Sequence, residues 1–179
     1  MVNDESRLVR RAVEGDERAF EEIVKRYERT VYNVAYRMVR SHDDAMDIAQ
    51  TVFIKAYRNL SSFNDAYKLF SWLYRIAVNE TINHIKRERR TAHLDCETVA
   101  DRGTPVDRLA QLELGERIQD ALMELKLDYR IVVVLKYFLE LSYREISEIV
   151  GIPEKTVKSR LFTAREKLRD VLVRQGLSR

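Results

Sequence analysis

The sequence predicts an all-α protein: two small helical domains joined by a flexible acidic linker, the second containing a helix-turn-helix. Three observations carry that prediction. Apolar residues recur at three-and-four spacing along most of the 179 residues. Only 5 Gly and 2 Pro interrupt them, which is too few for the turns of a chain built of short strands. Charge, at a net of +3, is sorted along the chain: residues 154–179 hold eight Lys or Arg against three acids, residues 75–90 five against two, and residues 91–113 two against five. The boundaries that follow are a first domain over 1–91, a linker over 92–111 and a second domain over 112–179.

Leu8 to Glu14 reads as a short helix closed by Gly15, and Asp16 is placed to cap a helix that begins at Glu17. Phe20, Ile23, Val24, Tyr27, Val31, Val34, Ala35 and Met38 keep the helical period to about Arg40, and core packing explains them. Ser41 or Asp43 caps the next helix, whose inner stripe is Ala45, Ile48, Ala49, Val52, Phe53, Ala56 and Tyr57. Its outer face has Asp43, Asp44 and Asp47 near one end and Lys55 and Arg58 near the other. Stabilisation of the helix dipole explains these charges as well as docking of a basic or helical partner does.

Residues 59–67 form a polar break holding Phe63 and Tyr67, rings that either do recognition or fold back as a plug on the core. A helix from about Lys68 to Arg90 turns Leu69, Leu73, Ile76, Ala77 and Ile85 inward. Another side carries Arg75, Asn79, Asn83, Lys86, Arg87 and Arg90, with Trp72 beside Asn79. Amides, cations and an aromatic surface suit single-stranded nucleic acid, because bases stack on rings while cations follow phosphates; a solvated helix face is the competing reading.

Thr91 to about Leu109 loses periodicity and reads as the acidic linker. Its His93 and Cys96 lack the second ligand pair that a metal site needs, so neither metal nor cofactor is expected. Leu112 to Leu127 is amphipathic through Leu114, Ile118, Ala121, Leu122 and Leu125. Ile131 to Leu135 has the composition of a strand, but the run continues as Lys136-Tyr137-Phe138-Leu139 and a lone strand would have no partner, so helix is predicted.

The last stretch, Tyr143 to Leu168, is the most informative. Ser142 and Glu145 make a capping box, Gly151 enters a left-handed turn without steric cost, and Pro153 fixes the backbone where the next helix opens. Val157, Leu161, Ala164 and Leu168 face inward; Lys155, Ser159 and Phe162 lie opposite, flanked by Lys158, Thr163 and Arg165. That face is able to meet base edges and phosphates together.

Catalysis has little support: the three histidines are scattered, the one cysteine lies in the linker, and no Gly-rich phosphate loop occurs, so an enzyme is not expected. A single cysteine, the lack of any apolar run of membrane-spanning length and the polar amino terminus predict a cytoplasmic protein without membrane insertion.

Four stretches in order, DAMDIAQTVFIKAY (44–57), FSWLYRIAVNE (70–80), the acidic linker, and LSYREI (141–146) through REKL (165–168), resemble the two-domain extracytoplasmic-function sigma factors of bacteria. The resemblance implies that the first domain binds core RNA polymerase and melts the minus-ten promoter element, while the second reads the minus-thirty-five element as duplex. By that likeness Asp44, Asp47, Gln50 and Ile54 belong to the helix that docks on the polymerase, with Phe53 in its core. Lys55, Asn59, Phe63, Asn64, Tyr67, Lys68, Trp72, Asn79 and Asn83 would surround the single-stranded element. Lys158, Ser159, Phe162 and Thr163 would approach bases, and Lys136, Lys155 and Arg165 phosphates. The family's usual regulator, in stress or envelope responses, is an anti-sigma factor that clamps both domains. The chain departs from the family at Met46 and Thr51, where acids are common, and at Thr163, where a cation is common. A free-standing helix-turn-helix regulator, and a helical adaptor that binds only protein, are the competing functions.

Overall fold

The computed structural model describes residues 4–64, 67–92 and 109–176, and side chains over 4–64, 67–90 and 114–176. The described residues form α1 (Asp4–Val13), α2 (Glu17–Val39), α3 (His42–Asn59), α4 (Leu69–Ala92), α5 (Leu109–Glu124), α6 (Leu127–Val133), α7 (Tyr143–Val150) and α8 (Glu154–Arg174), with no strand among them. His93, Cys96 and most of the stretch read as a linker lie outside the described residues. Helix α5 begins at Leu109, inside that stretch.

Helices α1 to α4 form the first unit. The Asp16 carboxylate accepts the Ala19 N–H at 3.2 Å, as the sequence predicts, and holds Arg11 at 2.7 Å. Of the two candidate caps on α3, Ser41 is the one used, accepting from Asp44 N at 3.2 Å. The predicted stripes of α2 and α3 meet α4 in a core that includes Ile23, Val31, Met38, Ile48, Val52, Leu69 and Leu73.

Three expectations change in this unit. Helix α1 starts at Asp4 rather than Leu8, because Asp4 pairs with Arg26 at 3.0 Å and Glu5 accepts from the Tyr27 hydroxyl, partners far along the chain that local spacing does not reveal. Tyr57 is not core: it is 53% exposed, with its ring set edge-on to Phe20 at 4.9 Å. In α4, Leu69, Leu73 and Ala77 are buried as predicted and Ile76 and Ile85 only half so, while Tyr74, Val78 and Thr81 join the interior. The helix packs against α2, α3 and α7, so its buried sector is wider than one stripe.

Helices α5 to α8 form the second unit. Leu114, predicted as part of the inner stripe, is exposed. Ile131 to Leu135 are helical and buried, as chain continuity requires, but after α6 the backbone widens into a π turn over Val134–Phe138. Both halves of the capping box form: Glu145 N donates to Ser142 Oγ at 3.2 Å and Ser142 N to Glu145 Oε2 at 2.9 Å. Gly151 has φ 74° and returns its N–H to Ser147 O at 2.8 Å. Pro153 sits one residue before α8, at its cap, and its carbonyl accepts from Thr156 N at 2.8 Å.

The buried apolar residues of the two units form one continuous cluster, and polar contacts join the units around it. Arg130, 7% exposed, donates to Leu122 O at 2.9 Å, Met123 O at 2.8 Å and Leu125 O at 3.1 Å, and also to Met38 O. These are carbonyls at the ends of α5 and α2 that no intrahelical amide can satisfy, so one guanidinium closes two helix ends from different units. Burial pushes its pKa down to about 10. Around it, Gln119 Nε2 donates to Arg37 O at 3.1 Å, Arg40 pairs with Asp120, and the Arg37 guanidinium lies 3.6 Å from the centre of the Phe138 ring. On the other side of the junction Lys68 pairs with Glu145 at 2.7 Å, and Arg75 donates to Glu148 O.

Candidate nucleic-acid interface

Helix α3 presents Asp47, Gln50 and Ile54 to solvent; Phe53 is 9% exposed and belongs to the core. Asp44 is half-buried, its carboxylate 3.2 Å from His84 Nε2. Beside this row, Met46, Ile54 and Tyr57 join Phe20, Val24 and Tyr32 in lining an open apolar groove of about 930 Å³ between α2 and α3. Sequence reasoning missed the groove. Its residues sit at the margins of stripes that also face the core, and periodicity gives the direction of a side chain but not whether a neighbour covers it.

The second face is built from the end of α3, the following loop and α4. Trp72 is half-buried and meets Phe63 edge-on at 5.6 Å, so of the two loop rings Phe63 is held against the unit while Tyr67 is exposed. Asn59 turns its amide back to Lys55 O at 2.8 Å, and Lys55 pairs with Glu80 at 2.7 Å. Asn64, Asn79 and Asn83 are exposed. Lys68 is engaged by Glu145 of α7, whose carboxyl is held down at about 2, chiefly by the Lys68 hydrogen bond and then by the Ser142 backbone N–H. The charge on Lys68 could be read from the sequence; its partner, 77 residues away, could not.

The third face is α8. Lys155, Lys158, Ser159 and Arg165 are exposed, Phe162 is 63% exposed and Thr163 half-buried. Lys158 and Lys136 both approach the Tyr143 ring, at 5.6 and 5.1 Å, so an aromatic of α7 organises two cations beside the helix. Lys136 is half-buried and donates to Leu141 O at 3.0 Å, which leaves it the most constrained cation of this group. Ser159 and Thr163 share a cleft with Arg89 of α4, next to the Arg160–Asp128 pair at 2.9 Å. The structure therefore brings the predicted residues together as three separate faces. Arg89, near the carboxyl end of α4, is the residue that brings the first unit to the α8 face, in the cleft with Ser159 and Thr163.

Two family models match the chain: Sigma-70 region 2 over residues 23–91 and Sigma-70, region 4 over residues 115–168. The chain is 42% identical over 176 residues to the ECF RNA polymerase sigma factor SigW of Bacillus subtilis, covering 92% of this chain and 94% of that protein. Among solved structures it is similar to CnrH in complex with the cytosolic domain of CnrY, with a TM-score of 0.72 and 27% identity over 92% of this chain and 94% of that one. It is also similar to the sigma factor RpoE in complex with the anti-sigma factor NepR from Bartonella quintana, with a TM-score of 0.74 and 27% identity over 86% of this chain and 96% of that one.

Proposed function

This chain belongs to the extracytoplasmic-function sigma factors of RNA polymerase, the proteins that direct transcription initiation, and we propose how its three faces divide that work. The α3 face, through Asp44, Asp47, Gln50 and Ile54, docks on core polymerase, and the neighbouring apolar groove enlarges that contact. The α4 face, with Lys55, Asn59, Phe63, Asn64, Tyr67, Lys68, Trp72, Asn79 and Asn83, holds the melted minus-ten strand by stacking, amide contacts and charge. On α8, Lys158, Ser159, Phe162 and Thr163 meet bases of the minus-thirty-five duplex, while Lys136, Lys155 and Arg165 meet phosphates. Residues 1–91 are the polymerase-binding and melting domain, 92–111 the linker and 112–179 the duplex-reading domain. The factor acts in the cytoplasm and catalyses nothing itself; polymerase supplies the chemistry. Among the described residues no helix is long and apolar enough to cross a membrane. Both similar solved structures are complexes with a second protein, one of them an anti-sigma factor, which supports an anti-sigma factor as regulator here.

One observation carries this reading. A single chain presents both a basic recognition helix behind a fully formed capping box and an exposed amide face next to Trp72, and duplex reading followed by strand opening needs the two together. The test is reconstitution of the protein with sigma-free core polymerase and promoter DNA. Promoter-directed transcription that requires both proteins is expected. Failure of the chain to associate with core would overturn the reading, and sequence-specific duplex binding without core would favour a free-standing regulator.

A further inference from the structure

Three side chains with metal-ligating chemistry converge where the first turn of α3 meets the carboxyl-terminal part of α4. His84 and Glu88 are four residues apart on α4 and therefore share a face. Asp44 reaches them from α3. His84 Nε2 lies 3.2 Å from Asp44 Oδ1 and 3.6 Å from Glu88 Oε2, and the three donor atoms fall within 4.8 Å of one another. Around a tetrahedral zinc with bonds near 2.1 Å, neighbouring ligand atoms stand roughly 3.4 Å apart. Both measured separations from the imidazole nitrogen bracket that edge length.

Two further observations concern the nitrogen itself. The His84 side chain is only 13% exposed, and its Nε2 is shielded from solvent with no hydrogen bond of good geometry among the described residues, although two carboxylate oxygens stand near it. A shielded polar atom in that condition calls for an explanation. A cation held between all three groups supplies one. Two ionised carboxylates and a neutral imidazole carry two negative charges, which a divalent ion neutralises, and the mixed nitrogen and oxygen donor set suits zinc better than magnesium or calcium. The Glu88 side chain is 57% exposed, which leaves a path for the ion and a position for water.

We propose that Asp44, His84 and Glu88 bind a divalent transition cation of the zinc class, with water as the fourth ligand. Loading requires the lone pair on Nε2 and hence a proton on Nδ1. The Arg87 guanidinium, 3.4 Å from Nδ1, then moves away from the ring. The bound ion ties α3 to α4 directly and draws the Asp44 carboxylate toward α4, away from the surface of α3. The site stands independently of the transcriptional reading, because it is read by metal binding rather than by transcription.

The full chain is titrated with Zn²⁺ by calorimetry and with Co²⁺ by visible absorption. One saturable site, tetrahedral cobalt ligand-field bands and a metal-dependent rise in thermal midpoint are expected, with affinity falling as pH drops and the imidazole protonates. His84→Ala and Glu88→Gln are each expected to weaken binding by about tenfold or more. Glu88 is exposed, so that variant retains the fold, which circular dichroism verifies. The double variant His93→Gln/Cys96→Ser is expected to bind as the parent does. Absence of a saturable site, affinity unchanged from the parent in the Glu88→Gln and His84→Ala variants, or loss confined to the His93/Cys96 variant would each overturn the proposal.

Discussion

Arg130 stands immediately before the apolar run Ile131–Leu135, and its guanidinium does what no apolar side chain there could: it satisfies carbonyls at the ends of two helices at once. Arg130→Met keeps the volume and takes the guanidinium donors from those carbonyls, of which Leu122 O keeps the Leu125 N–H at 3.1 Å, so a loss of roughly 2–4 kcal/mol is expected in urea unfolding. On the nucleic-acid faces, Trp72→Ala and Asn79→Ala are expected to reduce strand opening, read by permanganate reactivity of the downstream element, more than upstream duplex binding. Equal loss of both would show that the α4 face is assigned wrongly. Lys155→Ala should weaken binding uniformly across sequences and lower the salt slope by about one, the signature of a lost phosphate contact. At this scale the sequence was legible where a residue's role follows from its own helix: Lys155, Ser159 and Phe162 lie opposite Val157 and Leu161 by geometry alone. It was not legible for Arg130, for Tyr57 or for the Lys68 contact of Glu145, which are made by chain segments far away in sequence.

Helix ends were the best-read elements, because caps are local. Asp16, Ser41 and the Ser142–Glu145 box satisfy amide groups within three residues of themselves, and all form as sequence spacing requires. Gly151 is the corresponding device at a carboxyl end. A Cβ there would meet nothing within 4 Å, so any cost of Gly151→Ala comes from the left-handed φ of 74° rather than from collision. Thermal unfolding should show a loss of about 1 kcal/mol, with α7 and α8 still paired. The π turn at Val134–Phe138 had no such signature. Its residues are as apolar as those of an ordinary helix, and the widening becomes visible only with Phe138 under Arg37. The start of α1 at Asp4 was hidden for a similar reason, since its acids pair with side chains of α2.

For the molecule as a whole, fold class and the order of the two units could be read from periodicity and charge, whereas the polar contacts at their junction could not, because they are made by side chains that look solvated in isolation. Glu145 gives a way to probe that junction. Its carboxyl, held at about 2 against an ordinary 4.5, stays ionised in the folded protein at pH values where it is protonated in the unfolded chain. The stability it contributes is therefore present above about pH 4.5 and is lost as pH falls toward 2. In Glu145→Gln the decline of the urea midpoint across that window should be shallower than in the parent. Lys68→Met should reproduce part of the change, since the Lys68 hydrogen bond is the largest cause and the Ser142 amide remains.

Lys68 also belongs to the face proposed for the melted strand, and an ammonium occupied by Glu145 is withheld from a phosphate. Separation of the two units and capture of the strand thus draw on the same cation and are thermodynamically linked. By reciprocity, anything that holds the units apart tightens strand binding by the same factor by which the strand favours their separation. Polymerase that gripped α3 and α8 at a distance from each other would supply such a bias through geometry alone, without touching the nucleotides.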